Sequence, residues 1–147
     1  MIFKHFTDKP FTRFKKCILT KNLKPCALWF SCGNDWINWI NSENLNWKYE
    51  YTYEFDIDKS KLITLNNYKE IKKFNDIYGY IRHRTFHDEI YKDFLIDWKK
   101  VSKDYYGIFI KNPNIKKARK DFLWYSSIDV CCVAIWNKKA IISWNEL

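Results

Sequence analysis

The chain has 147 residues, of which 47% are hydrophobic and 20% aromatic, and this composition excludes general disorder. Its length suits one domain with a core of its own, so we predict that residues 1–147 form a single domain. No apolar run approaches the length of a bilayer span, which predicts no membrane partner. The net charge of +9 attracts polyanions, although the abundance of Lys, Asn and Ile is also typical of a low-GC viral or bacterial genome.

The cysteines predict a reducing compartment. Their number is odd, two of them are adjacent, and no CxxC motif occurs, so we expect reduced and mostly buried thiols. The N-terminus Met-Ile-Phe-Lys-His lacks the apolar region of a signal peptide. Both features lead us to expect a cytoplasmic location, which includes the cytoplasm of a host cell.

In the first half of the chain, hydrophobic periodicity predicts mainly strands. The alternation of Tyr49, Tyr51, Tyr53 and Phe55 is typical of a half-buried strand. The expected elements, in chain order, are a strand at 2–7, a short helix or connecting arm at 11–19, a strand at 27–32, an aromatic helix at 35–43, and strands at 48–57 and 61–65.

In the second half, helices precede two final strands. Asn67 is a plausible cap for a helix that Gly79 ends, and Asp97 caps a short helix. The expected elements are helices at 67–78, 86–95, 97–104 and 115–122, and strands at 106–110, 128–136 and 140–144. The last two strands are expected to pair through the turn at 137–139. Because strands dominate both ends with helices between them, the pattern indicates an α+β fold.

The segment from Lys24 to Trp39 combines a buried strand with an aromatic helix. Ala27-Leu28-Trp29-Phe30 is too short for a helix and suits a strand buried on both faces. The hydroxyl of Ser31 lies where that strand ends, and Gly33 separates the strand from the helix that follows. Polar groups at the end of a buried strand, beside bulky aromatics, are what a pocket for a flat aromatic ligand requires.

Four stretches, in the same order, resemble a family of small ADP-ribosyltransferase-like domains of phage and bacterial genomes. Lys24-Pro25-Cys26-Ala27-Leu28-Trp29-Phe30-Ser31 is similar to its Lys-Pro-x-Gly-Leu-Trp-x-Ser segment, with Ala27 in place of the Gly. The other three are His5-Phe6-Thr7, then Ile96-Asp97-Trp98 with Asp104-Tyr105-Tyr106-Gly107-Ile108, and finally Trp124-Tyr125 with Asp129 and Ile135-Trp136-Asn137. The resemblance covers nearly the whole chain and implies a split, mixed or antiparallel sheet with flanking helices.

The resemblance also implies an activity: transfer of ADP-ribose from NAD⁺ to a protein or nucleic-acid acceptor, self-modification included, with release of nicotinamide. It assigns Asp129 as the catalytic carboxylate, which stabilises an oxocarbenium-like transition state. Glu54 is the rival carboxylate. The residues implied to contact NAD⁺ are His5, Thr7, Trp29, Ser31 and Tyr105, and the candidates for its diphosphate are Lys9, Arg13 and Lys24.

Other functions stay open on the sequence. Water as acceptor would make the chain an NAD⁺ glycohydrolase, and a degenerate relative would bind a nucleotide without turnover. A basic module that binds RNA or DNA through Lys and exposed aromatics is a further alternative, although most aromatics fall at spacings typical of a core. His83 and His87 are four residues apart but lack a third ligand, so no metal site is predicted.

Overall fold

The computed structural model describes residues 1–147, and its central element is a mixed sheet of seven strands. Its strands Leu62–Leu65 and Gly107–Ile110 are parallel to each other, and every other neighbouring pair of strands is antiparallel. The mixed α and β composition predicted from the sequence is therefore confirmed. In their order across the sheet, the strands are β10 (Ile141–Glu146), β4 (Tyr51–Ile57), β1 (Ile2–Thr7), β3 (Leu28–Ser31), β9 (Cys132–Ile135), β8 (Gly107–Ile110) and β5 (Leu62–Leu65).

The helices are short and two of the predicted caps are confirmed. The side chain of Asn67 accepts a hydrogen bond from the amide of Glu70 at 2.9 Å, and Asp97 accepts one from the amide of Lys100 at 3.2 Å. None of the helices is long and apolar enough to cross a membrane. They are α1 (Asp35–Ser42), α2 (Tyr68–Tyr78), α3 (Trp98–Val101), α4 (Lys116–Asp121) and α5 (Leu123–Ser126), with 3₁₀ turns at Lys59–Lys61 and Lys138–Ala140.

Side chains of alternate residues in the central strands pack into two separate cores, one on each face of the sheet. In β9, Cys132 and Ala134 pack with α2 to α5, whereas Val133 and Ile135 pack on the other face. The first core is rich in Trp, with Trp98 and Trp124 almost fully buried. The second is built around Phe3, Phe30, Phe55 and Phe109. Both faces of the sheet are therefore covered. This explains why the sequences of β3 and β9 are continuous apolar runs rather than alternating ones.

Residues 86–95 were predicted as a helix, and that prediction is wrong. They belong to a hairpin of β6 (Gly79–Phe86) and β7 (Glu89–Asp97), which forms a second sheet with β2 (Lys21–Asn22). Its two turn residues, His87 and Asp88, have φ values of 49° and 61°, as two-residue hairpin turns require. Apolar residues four apart, such as Ile90 and Phe94, satisfy a strand face as well as a helix face, so the spacing misled the prediction.

The pairing of the last strand also differs from expectation. β10 was expected to pair with β9, but it pairs with β4 at the far edge of the sheet, with Trp144 opposite Phe55. The 3₁₀ turn at Lys138–Ala140 carries the chain away from β9, and the amide of Asp58 bonds to the carbonyl of Ala140 at 2.9 Å. The apolar face of Trp144 is thereby placed on the second core, where it stacks on Phe55.

The sheet opens between β1 and β3. β1 pairs with β4 along its full length, from Ile2 to Thr7, but shares with β3 only the pair Lys4 and Ser31. The connection at 8–27 contains no helix and only the two residues of β2, so residues 11–19 form the connecting arm rather than the helix of the two predicted alternatives. The gap between β1 and β3 is the structural origin of the site described next.

Candidate functional site

A cavity of about 310 Å³ lies beside the opening between β1 and β3. Four of the residues that the resemblance assigns to catalysis or to NAD⁺ contact line it: His5 from β1, Trp29 and Ser31 from β3, and Asp129 from the segment that precedes β9. These residues come from three stretches that are far apart in the chain. The structure therefore brings together most of the predicted site, including the predicted catalytic carboxylate.

Ser31 is 4% exposed and its oxygen already has a partner. The amide of Trp36, in the first turn of α1, donates to the Ser31 hydroxyl oxygen at 3.0 Å. Ser31 therefore helps to hold the start of α1 against the end of β3. Because a hydroxyl also carries one proton to donate, Ser31 keeps a donor available at the cavity wall.

The side chain of His5 makes a hydrogen bond between β1 and β3 at the point where the two strands separate. Its Nδ1 lies 2.8 Å from the carbonyl oxygen of Trp29, and since a carbonyl can only accept, Nδ1 carries the proton. Burial lowers the pKa of His5 below 6.5, against the smaller opposing effect of this hydrogen bond. The ring is thus neutral near pH 7, and its Nε2 is left with a lone pair that can accept a hydrogen bond.

The segment that carries Asp129 is fixed on both sides. The Arg119 guanidinium donates to the carbonyl of Ile128 at 2.7 Å and to that of Ser126 at 3.0 Å. On the other side, a disulfide joins Cys131 to Cys32, whose Cα atoms are 5.5 Å apart. Asp129 itself takes part in none of the ion pairs of the chain. The arrangement presents a half-buried carboxylate, positioned by the backbone, to the cavity.

The cavity is also lined by a buried thiol, Cys132, and by an exposed lysine, Lys24. Burial raises the pKa of Cys132 to about 12, with Lys24 lowering it and Asp129 raising it to a smaller extent. The thiol therefore stays protonated near pH 7 and is not a nucleophile there. Lys24 and Lys4 both line the cavity, so a positive charge is available to a bound anion.

An aromatic wall completes the cavity. Trp36 of α1 and Tyr49 line it together with Phe6, and the Trp36 indole N–H donates to the Tyr49 hydroxyl at 3.1 Å. Trp36 also stacks on Trp39 with ring centroids 5.0 Å apart. Flat aromatic faces beside a carboxylate suit a ring that carries positive charge.

Five residues proposed from the sequence lie elsewhere. Thr7 lines a second cavity, and its hydroxyl bonds to the main chain of Lys9. Tyr105 packs against the first core, and its carbonyl accepts from the Trp136 indole at 2.8 Å. Glu54 lies on β4 opposite Lys4 and does not line the cavity. Of the diphosphate candidates, Lys24 lines the first cavity, whereas Lys9 and Arg13 line the second.

The prediction of reduced thiols is wrong for four of the five cysteines. Cys17 is bonded to Cys26 and Cys32 to Cys131, which leaves Cys132 as the free thiol. The sequence could not show these pairs because the second joins residues 99 positions apart. Because Cys26 and Cys32 are each held in a disulfide, neither is available as a thiol nucleophile.

Sequence reasoning missed Lys4, Trp36 and Tyr49 as lining residues. Lys4 gave no signal of this role in the sequence, because strand alternation places it on the face opposite to His5 and its pairing with Ser31 depends on the register of β1 and β3. Trp36 and Tyr49 gave none either, because their proximity depends on the irregular stretch between α1 and β4. No group of three or more His, Cys, Asp or Glu side chains is arranged to hold a metal ion.

Comparison of the chain with protein-family models, with curated proteins and with solved structures found no match in any of the three.

Proposed function

We propose that this chain is an NAD⁺-dependent ADP-ribosyltransferase with an ADP-ribosyltransferase-like split sheet, and that the cavity between β1, β3 and Asp129 binds NAD⁺. The observation that carries the proposal is the convergence of His5, Trp29, Ser31 and Asp129 on one cavity. The four belong to three stretches of the chain whose spacing in the sequence does not by itself bring them together. The opening between β1 and β3 supports the split sheet that the resemblance implies.

The reaction breaks the bond between C1′ of the ribose and the nicotinamide nitrogen, which keeps the bonding electron pair. C1′ then forms a bond with a nucleophilic oxygen or nitrogen of the acceptor, whose proton is released to solvent. Positive charge develops on the ribose as the first bond lengthens. A carboxylate that is already in place, as Asp129 is, stabilises that charge without reorganising.

The neighbouring residues supply the other requirements of this reaction. The Nε2 lone pair of His5 accepts from a ribose hydroxyl, and the Ser31 hydroxyl donates to the amide group of nicotinamide. Trp29 and Trp36 offer flat faces to the cationic ring. Lys4 and Lys24 supply positive charge for the diphosphate.

The test is release of nicotinamide, measured by chromatography, from NAD⁺ incubated with the disulfide-intact protein alone, with a mixture of proteins, or with nucleic acid. Saturable release that increases with an acceptor, together with a label transferred from NAD⁺ to that acceptor, supports the proposal. Equal release in all three conditions without transfer identifies an NAD⁺ glycohydrolase and overturns the transferase. NAD⁺ binding without release in any condition overturns the enzyme and leaves a nucleotide-binding module.

The cysteine pairing bears on where the chain folds. Structural disulfides persist in oxidising compartments and are rare in the cytosol. We therefore propose folding in an oxidising compartment, in place of the cytoplasmic location expected from the sequence. Thiol labelling of protein recovered from its native source tests this: one reactive thiol after unfolding supports it, and five contradict it.

A further inference from the structure

The second cavity, of about 370 Å³, is a basic groove that borders the first. It is lined by Thr7, Lys9, Arg13 and Lys15, and no acidic residue lines it. His5 lines both cavities. The groove and the proposed NAD⁺ site therefore share one lining residue.

The charge of this groove is concentrated and uncompensated. The connecting segment at 8–27 holds six basic residues and one acidic residue, and the disulfide between Cys17 and Cys26 closes its last part, residues 17–26, into a loop. None of its basic side chains takes part in an ion pair within the chain. A row of unpaired cations beside a cavity attracts a ligand with several negative charges.

Three tryptophans, one exposed and two half-buried, form a platform at the first cavity. Trp36 lines that cavity and stacks on Trp39 at an interplanar angle of 12°, and Trp47 lies 6.1 Å from Trp36 between ring centroids. Trp47 is 50% exposed. Aromatic rings that are left accessible beside positive charge are what unpaired nucleobases stack on.

We propose that the ADP-ribose acceptor is a single-stranded nucleic acid, with phosphates in the basic groove and bases on the tryptophan platform. The proposal rests on the proposed function, since it names the substrate class of that same site. A single strand is specified because bases in a duplex are already stacked and are not free to contact the platform. The nucleophile is a base nitrogen or a hydroxyl oxygen, which displaces nicotinamide at C1′ and loses its proton to solvent.

The first experiment measures binding alone, without NAD⁺. A fluorescein-labelled single-stranded oligonucleotide of about 16 nucleotides, as DNA and as RNA, is titrated with the disulfide-intact protein while fluorescence anisotropy is recorded at several salt concentrations. We expect binding that weakens with salt. In the Lys9→Gln/Arg13→Gln/Lys15→Gln variant, the slope of log affinity against log salt should fall in magnitude by about 2.

Two matched controls distinguish binding at the groove and the platform from a general effect of losing charge or an aromatic ring. Lys73→Gln/Lys116→Gln/Lys120→Gln removes the same charge from exposed positions on α2 and α4 and should leave the slope nearer the wild-type value. Trp47→Ala should weaken binding by about 5- to 100-fold. Phe86→Ala, at an aromatic 57% exposed on the β6–β7 hairpin, should change binding little.

The second experiment adds NAD⁺ and keeps the two proposals distinguishable. Transfer of ADP-ribose to the oligonucleotide, impaired in the groove variant, supports the acceptor. Transfer to polypeptides with no oligonucleotide binding overturns the acceptor and leaves the proposed function standing. Oligonucleotide binding without nicotinamide release overturns the proposed function. Equal salt slopes for the groove variant and its lysine control also overturn the assignment of the groove.

Discussion

His5 donates its Nδ1 hydrogen to the carbonyl oxygen of Trp29 at 2.8 Å, across the gap where β1 and β3 separate. One side chain therefore bridges two strands whose backbones share a single residue pair. The same bond fixes the tautomer of the imidazole and leaves Nε2 as an acceptor. Sheet architecture and site chemistry thus depend on one residue that is half-buried between two cavities.

His5 makes the stability of the fold depend on pH. Burial lowers its pKa below 6.5 in the folded chain, so between that lower pKa and 6.5 the unfolded chain binds more protons. Stability is therefore full above about pH 6.5 and falls as the pH drops through this range. We expect thermal unfolding from about pH 7 to about pH 5 to show a smaller loss in His5→Gln than in the wild type. His83→Gln, at an exposed position, should behave as wild type, and equal losses in all three would contradict the assignment.

The two disulfides should contribute unequally to stability. The chain-entropy estimate is about 4.7 kcal/mol for Cys32–Cys131, whose residues are 99 positions apart, and about 2.6 kcal/mol for Cys17–Cys26, whose residues are 9 apart. Chemical denaturation of Cys32→Ser/Cys131→Ser and Cys17→Ser/Cys26→Ser measures both. We expect the larger loss for the first variant. A larger loss for the second would show that the 8–27 connection, and not the Asp129 segment, is the part that needs a covalent link.

Arg119 is a positioning residue, because it acts through the main chain beside Asp129. Arg119→Lys keeps the positive charge but loses the planar guanidinium, whose two nitrogens donate to the carbonyls of Ser126 and Ile128. We expect kcat for nicotinamide release to fall about 100-fold with KM nearly unchanged, as misplacement of a reacting group predicts. The measurement is made well below the unfolding temperature, and Lys120→Gln is the control. Lower thermal stability with an unchanged kcat would show a purely structural role.

Ser31→Ala should both destabilise the start of α1 and weaken the binding of NAD⁺. It removes the acceptor for the Trp36 amide, which costs about 0.5–2 kcal/mol of stability, and it removes a donor from the cavity wall. We expect calorimetry to show weaker NAD⁺ binding. Ser42→Ala, in the last turn of the same helix, loses only a bond to the carbonyl of Trp39 and should bind NAD⁺ normally. Equal effects of the two variants would remove Ser31 from the site.

The strands that cross the middle of the molecule could be predicted from sequence because their signals are local. The boundaries of β1 were predicted to the residue, and those of β3 and α2 to within one residue. The hairpin at 79–97 could not be predicted from the spacing of Ile90 and Phe94, which fits both helix and strand. The partner of β10 depends on which sheet edge is free, and that is a property of the whole fold.

The residues of the candidate site also fall into those that the sequence could predict and those that it could not. His5, Ser31 and Asp129 were found through the order of short motifs, and strand geometry brings them together. Tyr105 fell within such a motif but packs against the core, because its neighbours on β8 are buried there. The disulfides and the position of Tyr49 depend on irregular segments, whose paths no periodic pattern encodes.

The central claim is that Asp129 stabilises positive charge on the ribose of NAD⁺. Asp129→Asn keeps the shape of the side chain and removes its charge, and Glu54→Gln makes the same change on a carboxylate that does not line the cavity. The decisive measurement is kcat for nicotinamide release by the two variants, with NAD⁺ affinity determined in parallel. We predict a fall of about 10²- to 10³-fold for Asp129→Asn with affinity retained, and little change for Glu54→Gln. Near-normal release by Asp129→Asn would contradict the account.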